Sequence, residues 1–133
     1  MTTSYFNAFP IIYTEDLERA LAFYRDLLGF RQTFQFPADG DAVFVSLELE
    51  GGGGLALAAA ADGQTGAHGR AMRPLETGSF EMCVYTTDVD SAITGLSAHG
   101  VEVLVQPVDQ PWGERMAYVA DPDGRPIMIC ARL

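Results

Sequence analysis

Few side chains in this sequence suit metal or nucleophilic chemistry, and their spacing assembles none of the usual sites. The chain has two histidines and two cysteines. His68 lies in a glycine-rich stretch with no second histidine placed to join it, and a lone loop histidine is more often solvated than catalytic. His99 stands just before Gly100, where a cation near the carbonyl end of a helix is mildly favoured, so its reading is structural. Cys83 and Cys130 each fall inside an apolar strand and off metal-ligand spacing, which reads as two reduced thiols packed as small hydrophobes. Trp112, the only tryptophan, sits between Pro111 and Gly113 in a connection. Core packing and ligand stacking weigh equally for it, because a large indole serves both.

The elements that carry these residues repeat. Thr14-Glu15-Asp16-Leu17-Glu18-Arg19-Ala20 opens a helical stretch ending at Gly29, and Thr86-Thr87-Asp88-Val89-Asp90-Ser91-Ala92 opens another ending at Gly100. An apolar strand precedes each (8–13 and 80–85), and a β-branched or aromatic strand follows (30–36 and 101–105). Leu17, Ala20, Leu21, Tyr24, Leu27 and Leu28 form one apolar stripe, with Thr14 or Asp16 as cap and Gly29 as left-handed stop. Val89, Ala92, Ile93 and Leu96 repeat it. Residues 42–50 alternate, with Phe44, Ser46, Glu48 and Glu50 opposite Val43, Val45, Leu47 and Leu49. Gly51 to Gly54 make a flexible hairpin into 55–60, and Asp121-Pro122-Asp123-Gly124 is a turn between strands 115–120 and 127–131. Each half is therefore strand, helix, then three strands. The expected organisation is one domain, 1–133, built from a first repeat at 1–62, a linker at 63–78 and a second repeat at 79–133.

Composition narrows the partners. At 133 residues and 48% hydrophobic content the chain can bury a real core. With 18 acids against 8 bases the net charge is −10, which would repel a phosphate backbone, so nucleic acid is not an expected partner. The charge fits either solubility or attraction of a cationic small molecule. Neither a secretory h-region behind a basic start nor a bilayer-crossing apolar run is present, so a cytoplasmic protein with no membrane partner is expected.

The order and repetition of three motifs carry a family resemblance. Asp16-Leu17 is followed by the run from Ala20 to Phe30 (Ala-Leu-Ala-Phe-Tyr-Arg-Asp-Leu-Leu-Gly-Phe), then come Pro111-Trp112-Gly113-Glu114-Arg115 and Asp121-Pro122-Asp123-Gly124. Over nearly its whole length the chain resembles the vicinal oxygen chelate superfamily, which includes glyoxalase I, extradiol dioxygenases, fosfomycin-resistance enzymes and bleomycin-resistance proteins. The resemblance implies an α+β fold of two βαβββ modules forming a curved mixed sheet around a cavity, often completed in a homodimer. Metal-dependent members take His and Glu ligands from the first and last strands of each module. The matching positions here are Phe9, Leu57 (Leu55 or Ala59 if the register slips by two), Glu81 and Met128. Phe, Leu, Glu and Met do not make a divalent site, because hard or borderline cations want several oxygen or nitrogen ligands. No metal and no cofactor are expected.

Period-two alternation from those positions outlines a ligand face: Phe9, Ile11, Tyr13, Phe44, Ser46, Glu48 and Leu57 in one module, and Glu81, Cys83, Tyr85, Tyr118, Met128 and Cys130 in the other, with Trp112 at the mouth. Such a lining, aromatic and apolar with a few acids, is the usual make-up of a small-molecule pocket. Glu81 stands open to three roles: counter-charge for a cationic ligand, general base, or a carboxylate paired with a residue such as Arg115. The preferred expectation is a metal-free protein that binds a cationic or aromatic small molecule and resembles bleomycin-resistance proteins, which are small acidic homodimers that sequester a cationic drug. The alternative is a lyase, isomerase or dioxygenase of the same superfamily, with Glu81 as catalytic base or with a metal site these positions do not reveal. A third is a metabolite sensor.

Overall fold

The computed structural model describes residues 4, 6, 8–60 and 81–133. The expected linker at 63–78, with His68, lies outside the described residues, as does Phe80. The chain divides into two compact units, Met1–Pro74 and Leu75–Leu133.

The first unit runs β1 (Ile11–Thr14), α1 (Leu17–Leu21), β2 (Arg31–Phe36), β3 (Phe44–Leu49) and β4 (Gly53–Ala59), in a sheet ordered β1-β4-β3-β2. The strand β1 is parallel to β4 and the other pairings are antiparallel. Asp16 caps α1, its Oδ1 accepting from the Arg19 amide at 3.1 Å, while Thr14 is a buried partner of Asp16 backbone groups. Beyond Leu21 the helix widens into a π-helical stretch, Ala22–Leu27, in which the Leu28 amide reaches back to the Phe23 carbonyl. The regular stripe leaves Phe23 out, but the wider turn rotates both Phe23 and Tyr24 into the core. There Tyr24 meets Phe23 and Phe30 edge-on, at centroid distances of 4.9 and 6.0 Å.

The second unit repeats the order: β5 (Met82–Tyr85), α2 (Val89–Ala98), β6 (Val103–Gln110), β7 (Glu114–Ala120) and β8 (Pro126–Arg132), in a sheet ordered β5-β8-β7-β6. The fold is thus α+β, two βαβββ modules. Asp88 caps α2 through the Ser91 amide and hydroxyl, and His99 closes its far end, Nδ1 lying 2.9 Å from the Gly95 carbonyl. The strand β6 is longer than the expected 101–105 because it is an edge strand, where Pro107 breaks no ladder essential to the sheet. At the 121–124 turn the buried Asp121 accepts from the amides of Asp123 and Arg125 and from the buried Arg125 guanidinium.

Strand register decides which side chains face the helix. Residues directly opposite one another share a face of the sheet. Leu57 pairs with Val45 and Ile12, all three buried, so Leu57 belongs to the core of the first unit. Its placement on the ligand face is corrected: Ala56 and Ala58 hold that side of β4. A slip of one residue flips the whole set, and the continuous apolar run from Leu55 gives no alternation to read it from. Met128, by contrast, is aligned with Tyr118 and Cys83 and lies on the face away from the buried Ile127 and Ile129.

Candidate functional site

In the second unit, one face of the sheet carries the core-facing Ala117, Val119, Ile127 and Ile129. The other face carries nearly all the polar and sulfur-bearing chemistry. Register places Glu114, Met116 and Tyr118 of β7, Met128, Cys130 and Arg132 of β8, and Cys83 and Tyr85 of β5 together on it.

At one end Glu114 is a hub. Its carboxylate accepts from the Tyr85 hydroxyl at 2.7 Å and from the Trp112 indole N–H at 3.1 Å. Trp112 is 63% exposed and Tyr85 58%, so two large rings are held open to solvent by one acid. Trp112 owes its position to a tight turn in which Gly113 takes a φ of 95° and donates its amide to Gln110. The guanidinium of Arg132 lies 5.9 Å above the Tyr85 ring, a cation–π distance. The Tyr85 phenol is pushed up to about 12, chiefly because it donates to the Glu114 carboxylate. It therefore remains a neutral donor through the physiological range.

At the other end the Tyr118 hydroxyl donates to Glu81 at 3.2 Å and lies 3.6 Å from Met128 Sδ. Burial first, and then the charge of Glu81, raise the Tyr118 phenol. Arg115 does not reach Glu81. It turns to the helix side, where it is bidentate to Asp90 and bonded to Asp109, each at 2.9 Å. The possible Glu81–Arg115 pairing is therefore corrected, the partner being Tyr118.

In the first unit, the face away from α1 is aromatic. Phe44 pairs with Phe36 and with Ala58, and Tyr13 pairs with Ala58. Phe34 meets Phe44 with centroids 6.2 Å apart. A groove of about 500 Å³ opens here, lined by Phe9, Thr33, Phe34, Ser46, Glu48 and Gly54 among others. Gly54 helps to hollow it: a Cβ there would stand 3.3 Å from the Leu47 carbonyl oxygen and 3.8 Å from Glu48 Cγ. Among the described residues, Glu48 is met by an exposed Arg31 at 3.3 Å, a contact that water screens strongly.

Of the expected site residues, the structure brings Phe9 and Glu48 together at this groove, with Phe44 and Tyr13 on the same face, and Glu81, Tyr118 and Met128 together in the second unit, with Tyr85 and Trp112 joined through Glu114. Sequence reasoning missed Phe34, Glu114 and Arg132. Alternation along β7 from Tyr118 would have placed Glu114 on the ligand face, but no sequence signal pairs Arg132 with Tyr85. With Ala56 in place of Leu57, since Ile11–Ala56 repeats the Cys83–Met128 pairing, the positions that the family resemblance marks for metal ligands hold Phe9, Ala56, Glu81 and Met128. One carboxylate among them does not fit a divalent ion, and among the described residues no group of three or more His, Cys, Asp or Glu is placed to hold one.

Comparison with known proteins agrees with this architecture. Residues 6–129 match the family model of the Glyoxalase/Bleomycin resistance protein/Dioxygenase superfamily. A superfamily member from Sphaerobacter thermophilus is similar at 26% identity and a TM-score of 0.73, over 95% of this chain and 97% of that one. A glyoxalase/bleomycin resistance protein/dioxygenase from Nocardioides is similar at 28% identity and 0.73, over 99% and 87%. A lactoylglutathione lyase from Agrobacterium tumefaciens is similar at 25% identity and 0.66, over 93% and 92%. No curated protein matches the chain.

Proposed function

The chain belongs to the Glyoxalase/Bleomycin resistance protein/Dioxygenase superfamily, and from that premise we propose that it binds a cationic, planar small molecule without a divalent metal. One observation carries the reading: Glu114 holds the exposed rings of Trp112 and Tyr85, and a guanidinium already lies over the Tyr85 face. Aromatic faces beside a carboxylate attract a desolvated cation through ring quadrupole and charge together. The Arg132 guanidinium above Tyr85 supports the reading, in which a ligand cation takes over its place. The groove lined by Phe9, Phe34 and Glu48 offers a second surface of the same character. A net charge of −10 draws such ligands toward the protein. The protein functions as a homodimer in this reading, and a sizing experiment giving the mass of one chain counts against that part.

Titration of tryptophan fluorescence with cationic aromatic antibiotics tests the proposal. Quenching that saturates for at least one compound, and weakens in Glu114→Gln, is the expected result; flat emission and unchanged melting across the panel sink it.

A second reading, lyase or isomerase chemistry with Glu81 as base, is favoured by the hydrogen bond that orients Glu81 through Tyr118. It predicts that Glu81→Gln abolishes turnover of a superfamily substrate while melting stays unchanged.

A further inference from the structure

We propose that Cys83, Cys130 and Met128 form a binding site for a soft, thiophilic metal ion, with Cu(I) as its representative. The site shares a sheet face with the ligand reading above but does not rest on it. Three observations place the sulfurs together. Cys83 and Cys130 are free thiols whose Sγ atoms stand 3.5 Å apart across the parallel strands β5 and β8. Met128 is the residue aligned with Cys83, and Cys130 follows two positions along the same face. Met116, aligned with Cys130, adds a further thioether to that face. The set is sulfur-only, and thiolate and thioether donors select soft ions such as Cu(I) over hard ones.

The geometry suits one shared ion. With metal–sulfur bonds of about 2.3 Å, an S···S separation of 3.5 Å subtends roughly 100° at the metal. That angle is bent, so a third donor completes the shell, and Met128 is the thioether beside the pair. Cys83 is reachable, being exposed, while Cys130 is 1% exposed and anchors the site from within.

The electrostatics favour a cation there. Two carboxyl groups, those of Glu81 and Glu114, lie on the same face as the two thiols. The titratable and charged groups on this face are the carboxyl groups of Glu81 and Glu114, the phenols of Tyr85 and Tyr118, and the guanidinium of Arg132, which is engaged over the Tyr85 ring. Binding is an exchange: the two thiols release their protons to solvent, two sulfur–metal bonds form, and no electron is transferred. Apparent affinity accordingly climbs with pH.

The test uses the full chain, reduced and handled without oxygen, with both thiols verified by count. Cu(I) is presented as its bicinchoninate complex, and its withdrawal is followed by loss of that complex's colour. The expected result is one Cu(I) taken up per chain, with sulfur-to-metal charge-transfer absorption. Cys83→Ser weakens uptake by at least roughly 100-fold, beyond the ~10–100-fold that loss of an outer-shell group costs, and Met128→Leu weakens it on the order of 10-fold. Cys130→Ser places a hydroxyl in a buried position and can unfold the chain, so the exposed Cys83→Ser carries the decision. Failure of the wild-type chain to withdraw Cu(I), or equal withdrawal by Cys83→Ser, overturns the proposal. Antibiotic quenching of Trp112 is measured on the metal-free wild-type chain, so a chain that binds the antibiotic but withdraws no Cu(I) fails here without touching the ligand reading.

Discussion

The two units share a strand order, a helix cap and a register, yet the sheet faces turned away from their helices differ in kind. In the first unit the central strand β4 presents Gly54, Ala56 and Ala58 there, and the neighbours contribute Phe9, Tyr13, Phe34 and Phe44. Small residues in the middle and rings around them leave a groove. In the second unit the matching strand β8 presents Met128, Cys130 and Arg132, beside Glu81, Glu114 and Tyr118. Side-chain volume fills the middle, and polar groups tie the rings down through Glu114. One scaffold thus yields a hollow aromatic surface and a filled, acidic, sulfur-bearing one. The difference shows that in this chain the chemistry of each unit is set by a few positions on the last strand that face away from the helix, while the helix-facing positions stay aliphatic for packing.

The turns before those strands differ in the same direction, and here the largest effect is expected. The first unit turns on Gly51 and Gly52, both with positive φ, whereas the second locks its turn with the buried Asp121–Arg125 pair at 2.9 Å. Asp121→Ala strands a buried guanidinium and should cost about 3–5 kcal/mol in denaturant unfolding. If it costs no more than a surface substitution, the contrast between a locked and a loose turn is wrong.

Next in size, Leu57→Ala should cost about 2–5 kcal/mol through the cavity it leaves in the first core, with antibiotic binding unchanged at saturating stability. Loss of binding with little loss of stability would return Leu57 to the ligand face and invert the register argued from β4.

Trp112→Ala should weaken ligand binding by about 2 kcal/mol, the scale of a central aromatic anchor, while Phe34→Ala has a smaller effect. Calorimetry on the two variants ranks the faces, and a larger loss from Phe34→Ala would move the principal site to the first unit.

The smallest effect is spectroscopic. The Tyr85 phenol is raised above its unfolded value, so the stabilisation from its hydrogen bond is fully present below about 10 and fades as pH rises through about 12. Absorbance titration should show one tyrosine ionising near 12, and Glu114→Gln should bring it back toward the ordinary range. An unmoved titration in that variant would remove Glu114 as the hub of the second face.

The amino-acid sequence by itself determined the repeat, because capping aspartates, helix-ending glycines and turn motifs act through local backbone geometry and recur in order. It also determined the face of β3, where strict alternation sets Phe44, Ser46 and Glu48 against the buried Val45 and Leu47. Tertiary structure alone decided the rest. The run from Leu55 to Ala58 is buried throughout, so it has no period, and only pairing with β1 and β3 shows that Ala56, not Leu57, faces outward. The Glu114 hub, the Arg132–Tyr85 stack and the 3.5 Å approach of Cys83 to Cys130 join residues remote in sequence. Their meeting depends on strand register and side-chain rotamer, and neither leaves a mark on local composition.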